Sequence, residues 1–135
     1  MPSLPPAPAV YNQQNESTTR ALIEQGFSPA TQSLVQTATQ LTANQNDYNI
    51  PSATTLRMSS DASRNVTGIV ARKDATLTLV NVGAQNIVLQ NENAGSAATN
   101  RIITGSGADI TIAPDDVATL WYDTVSGRWR VINHY

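Results

Sequence analysis

A hydrolase of the nucleophile, base and acid type needs a base, and the chain has a single histidine, His134, next to its last residue. Chain ends are loosely held, which speaks against a triad built on it. Carboxylates offer a second route, because two acids in different environments can divide the roles of proton donor and acceptor. The candidates are Asp109, Asp115, Asp116 and Asp123, and all four stand beside turn signals. Pro114-Asp115-Asp116 and the Asp123 that opens a hairpin loop read as turn residues bonding their own backbone. A small hydrolase of cell-wall polysaccharide using Asp115, Asp116 and Asp123 is the catalytic reading that remains. No Asp-x-Asp-x-Asp-Gly spacing suggests calcium. Gly105-Ser-Gly107-Ala-Asp109 lacks the lysine and the strand-to-helix context of a phosphate loop and reads as a hairpin turn. Trp121, Tyr122 and Trp129 could stack against a sugar or a base. With aromatics at only 5% of the chain, both tryptophans read instead as the bulk of a core of Val, Ile, Leu and Ala. Arg128 and Arg130 alternate with Trp129, so a cation over a ring or an ion pair with Asp123 is open to them.

The elements that would position these groups follow from composition. The 135 residues carry a net charge of −2, and charged side chains make up 13%. Asn, Gln, Ser and Thr supply 48 residues, so neutral polar groups must cover the surface. One lysine, Lys73, and seven arginines make no basic field for nucleic acid. Without cysteine there is neither a disulfide framework nor a thiolate metal site. No apolar run approaches the roughly 20 residues that cross a bilayer, and the start lacks a secretion signal, so export by that route is not expected.

Four of the seven prolines fall in the first ten residues, which predicts an extended arm that includes Pro5 and Pro6. From Asn12 to Gln25 nothing breaks a helix, and Gly26 can end it; Tyr11, Asn15, Thr18, Leu22 and Gln25 form its mainly polar seam. Ser28-Pro29 can cap a second helix, along which Phe27, Thr31, Leu34, Ala38 and Leu41 step by four and three. Beyond residue 42, short β-branched runs alternate with Gly, Asn, Asp and Ser, as in an all-β sandwich or barrel. Eight strands are expected, at 54–58, 65–71, 76–82, 86–90, 101–104, 109–112, 117–122 and 128–133. Trp129 should face the core, and Asn91 to Asn100 should be a polar loop. No exact sequence repeat occurs. The fold class is mainly β: an arm and one or two short helices over 1–42, then an antiparallel sandwich or barrel-like module over 43–135.

Two stretches resemble tailed-bacteriophage virion proteins. Tyr11-Asn-Gln-Gln-Asn15-Glu16, with Arg20 and Leu22, is similar to the leader of many such proteins. Leu41 to Pro51, Leu56 to Ala62, Leu79 to Gly83, Ile87 to Asn91, Ser96 to Arg101, Thr104 to Asp109 and Leu120 to Trp129 resemble a β-rich module of phage structural proteins. The resemblance implies a homotrimer without enzymatic activity. It also implies an anchoring role for Pro5, Pro6, Tyr11, Asn15, Glu16, Arg20 and Leu22.

With no shaft between leader and module, the leading expectation is a capsid cement or decoration protein on the capsid surface, bound to the major capsid protein of its virion. Leu34, Ala38 and Leu41 would lie near the threefold axis. The alternative is a tail or fibre adhesin whose Asn91 to Asn100 loop meets a host glycan. No cofactor, metal, nucleic acid or membrane is expected as a partner.

Overall fold

A computed structural model describes residues 34–135, and these form one compact unit that starts at Leu34. Nine strands follow in order: β1 (Val35–Thr37), β2 (Thr55–Met58), β3 (Arg64–Val66), β4 (Thr76–Asn81), β5 (Ile87–Leu89), β6 (Ile102–Ile103), β7 (Ile110–Ile112), β8 (Val117–Asp123) and β9 (Arg128–His134). They make a six-stranded sheet in the order β1-β2-β4-β8-β9-β6 and a three-stranded sheet in the order β3-β5-β7.

The architecture is mainly β and solenoid-like. β1, β2 and β4 pair in parallel, Val35 beside Thr55 and Thr55 beside Thr78, so each coil climbs one strand spacing in 20 or 23 residues. The same offset recurs round the coil, with Gln45 beside Val66, Tyr48 beside Ile69, and β3 parallel to β5. β7 then pairs antiparallel with β5, β8 with β4, and β9 with β8, while β6 returns parallel to β9. The sheets are therefore mixed, where an antiparallel sandwich was expected. The repetition lies in backbone stacking, so it leaves no exact repeat in the sequence.

Every one of the eight expected strands has its counterpart, with ends trimmed by a few residues. β1 was expected to be helix. Leu34 to Leu41 is rich in β-branched residues, which lose side-chain freedom in a helix, and its backbone is taken up by the next coil. Ala38 N–H bonds Arg57 O and Leu41 N–H bonds Ser59 O, both at 2.9 Å. The seam of Leu34, Ala38 and Leu41 dissolves accordingly: Leu34 is 66% exposed, Ala38 is partly buried, and Leu41, at 4%, belongs to its own unit's core. The three share no face that could line a threefold axis.

Alternation decides the core. On β4, Leu77 and Leu79 point inward; on β8, Ala118, Leu120 and Tyr122 do so; they meet Val66, Ile87, Leu89 and Ile112 of the smaller sheet. Trp129 is fully buried, packs edge-to-face on Tyr122 at 5.3 Å, and donates its Nε1–H to Ile69 O at 2.9 Å. At Gly68 the coils approach so closely that a Cβ would lie 2.5 Å from Ser96 Oγ and 2.6 Å from Asn100 O, which only glycine tolerates.

Candidate functional site

The residues with catalytic potential are held by local structure. Asp123 Oδ1 accepts the Val125 N–H at 3.1 Å, and Oδ2 accepts Arg130 Nε at 2.8 Å and the Ser126 hydroxyl at 2.9 Å. The Arg130 guanidinium, helped by Ser126, holds this carboxyl below the usual range. Asp116 Oδ2 accepts the Ala113 N–H at 3.2 Å, and Asp115 turns the chain with a φ of 67°. Asp109 Oδ1 accepts the Asn91 N–H at 2.9 Å. His134 is not a loose end: it belongs to β9, and its Nε2 bonds Thr111 O at 2.7 Å. Gly105 and Gly107, at φ 89° and 81°, form a turn from the larger sheet to the smaller one rather than a hairpin. Among the described residues no group of three His, Asp or Glu side chains gathers as a metal site.

The stretch from Asn91 to Asn100 is folded onto the coils by buried polar groups. Thr67 Oγ1 lies 2.7 Å from Ser96 Oγ and 2.6 Å from Asn46 Oδ1, and Ser96 Oγ accepts the Asp47 N–H at 2.8 Å. Asp47 Oδ1 takes the Ala97 N–H at 2.8 Å and Asn100 Nδ2 at 2.9 Å, and the Asn100 bond is the main reason its carboxyl lies below the ordinary range. Asn100 Oδ1 accepts the Ala71 N–H at 2.9 Å. Side-chain amides thus serve as backbone partners where coils meet loops, so much of the abundant Asn and Ser stabilises the interior rather than covering the surface. Asn81 does the same between the sheets, donating to Gln85 O at 2.7 Å and Ile112 O at 2.8 Å while accepting Gly83 N–H at 3.0 Å.

Two features face outward. The first coil carries a cleft of about 460 Å³ that includes Ala38, Leu41, Gln45, Tyr48 and Asn49 in its lining and has no charged side chain there. Burial pushes the Tyr48 hydroxyl up from its ordinary value. The second is the outer face of the six-stranded sheet, where cross-strand register sets residues in rows. One row is Val35, Thr55, Thr78, Thr119 and Asn133; another is Thr76, Trp121 and Arg130.

Trp121 was expected in the core and is instead 38% exposed. Alternation in Val117 to Asp123 puts Trp121 and Tyr122 on opposite faces, and Tyr122, flanked by Ala118 and Leu120, takes the inside. That signal was in the sequence. Of the conceivable pairs of the arginines, Arg130 meets Asp123, and Arg128 Nε meets Glu92 Oε1 at 2.7 Å.

Pro5, Pro6, Tyr11, Asn15, Glu16, Arg20 and Leu22 lie outside the described residues. No family model, curated protein or solved structure matches the chain.

Proposed function

We propose that this chain is a non-enzymatic structural protein of a phage virion, a homotrimeric cement or decoration protein that binds the major capsid protein and stabilises the head from its outer surface. The observation that carries the reading is the use made of the chemically capable side chains. Asp47, Asp109, Asp116, Asp123 and His134 all bond backbone groups, which rigidifies the unit, and no pair among these carboxylates is paired with His134. A rigid unit with broad rows of Thr and Val suits a part whose work is contact. Many identical weak clamps on a symmetric shell share the load of packed DNA. The phage-like pieces from Leu41 to Trp129 add the virion context. In this reading residues 1–25 are the anchor and the β unit is the exposed knob.

The test is to remove residues 2–25 and measure binding to purified capsids lacking this protein, with quantitative mass spectrometry of whole virions beside it. Loss of binding, and a copy number near a simple fraction of the major capsid protein, are expected. Undiminished binding would remove the anchor, and a few copies per particle would move the protein to a tail or portal vertex.

A further inference from the structure

We propose that the outer face of the six-stranded sheet around Trp121 is a binding platform for a neutral hexopyranose glycan. The inference stands apart from the capsid reading, since it uses only residues of β4, β8, β9 and the turns beside them.

The two tryptophans differ in a way that packing does not demand. Trp129 is buried, has Tyr122 against its ring and gives its indole N–H to Ile69 O. Trp121 is 38% exposed, and its Nε1–H has no hydrogen-bond partner among the described residues. A large apolar ring with an unused donor, held on the middle of a strand, meets both needs of sugar recognition: a flat face for the C–H side of a pyranose and a donor at its edge. The scaffold is rigid, with Trp121 in register between Thr76 on β4 and Arg130 on β9. Strand spacing sets those neighbours about 5 Å to either side, close to the width of a sugar ring.

Polar groups surround the indole. Asp123 lies two residues along on the same face and is joined to Arg130 at 2.8 Å. The Arg130 side chain remains 41% exposed, which leaves guanidinium donors for ligand hydroxyls. At the same end Thr124 Oγ1 donates to Asp74 Oδ1 at 2.9 Å, with Lys73 next to Asp74 in sequence. The charges cancel: Arg130 against Asp123 and Lys73 against Asp74. A balanced patch with paired donors and acceptors complements an uncharged polyhydroxylated chain. An anionic polysaccharide or a nucleic acid would meet Asp123 and Asp74 without an excess of cations.

The experiment uses the full chain labelled with ¹⁵N, titrated with maltohexaose, cellohexaose and mannohexaose while the two indole N–H resonances are followed. The Trp121 resonance should move saturably with at least one of them, in the millimolar range or tighter, and the Trp129 resonance should stay. Trp121→Ala should weaken that binding about tenfold or more, with Trp121→Phe retaining most of it. Because Trp121 is outward, both variants should melt near the parent temperature, so lost binding is separable from lost fold. Absence of a shift with all three sugars would overturn the proposal. So would equal affinity in a folded Trp121→Ala variant, or a preference for oligogalacturonate or oligothymidylate over the neutral sugars. Capsid binding by Trp121→Ala reports separately on the cement reading, which this site does not need.

Discussion

The parallel coils of residues 34–91 and the antiparallel strands of residues 110–135 reach the same backbone satisfaction by different means. In the coils, partners are 20 or 23 residues apart, the strands are three to six residues long, and polar side chains close the corners. In β8 and β9 the partners meet across one short loop, and seven-residue strands need little besides Asp123 to shape the turn. A coil has no local reason to exist and is stable only against its neighbours, whereas a hairpin carries its own closure. The antiparallel strands close the stack at the β4 and β5 edges, where a further coil would otherwise have to sit. Residues that join the two regions should therefore matter most.

Trp129 is the largest of these. It stands on β9, bonds Ile69 of the second coil and packs on Tyr122. Trp129→Ala removes a fully buried side chain, leaves a cavity and strands the Ile69 carbonyl, so a loss of about 3–5 kcal/mol is expected in urea unfolding. A single lowered transition would show that the coils cannot outlast their closure. Two separated transitions would break the comparison by giving the coils a stability of their own.

The contrast also governs what could be read in the sequence. The eight strands from β2 onward were legible because β-branched runs between turn residues mark strands whether the partner is near or far. The partner was not legible. Alternation names a buried face but not the strand beside it, so the closing hairpin was readable through its loop while the parallel stack, offset by about twenty residues without a repeated motif, was not. β1 failed for a related reason. Leu34, Ala38 and Leu41 satisfy a heptad by spacing, and the β-branched residues between them carried the contrary signal. At the candidate platform the alternation that turns Trp121 outward was legible, and overall aromatic scarcity was the weaker argument for its burial.

Two leucines sharpen that point. Leu41→Ala should cost about 2–4 kcal/mol, because the side chain is 4% exposed in the core, while Leu34→Ala should stay within about 0.5 kcal/mol, because that residue is 66% exposed. Thermal melts of both variants, with sedimentation to record mass, make the check. Equal losses accompanied by dissociation would restore a shared helical seam.

Acid gives the smallest and most local comparison, because both regions contain a carboxylate held below its ordinary range. In the coils it is Asp47, through Asn100 and the Ala97 N–H; in the hairpin it is Asp123, through Arg130 and Ser126. A carboxyl whose folded pKa lies below its unfolded value favours the folded state fully above the unfolded pKa, near pH 4, and that contribution is lost as pH falls through the folded pKa. Melting temperature should therefore decline below about pH 4 in the parent and decline less steeply in Asp47→Asn and in Asp123→Asn. Both sites are open to solvent, so each effect should be modest and weaken in salt for the Arg130 pair. Asp47 bonds neutral groups, and its share should persist in salt. A salt response of the same size in both variants would mean that the coil corner, like the hairpin, is held by charge rather than by directed hydrogen bonds.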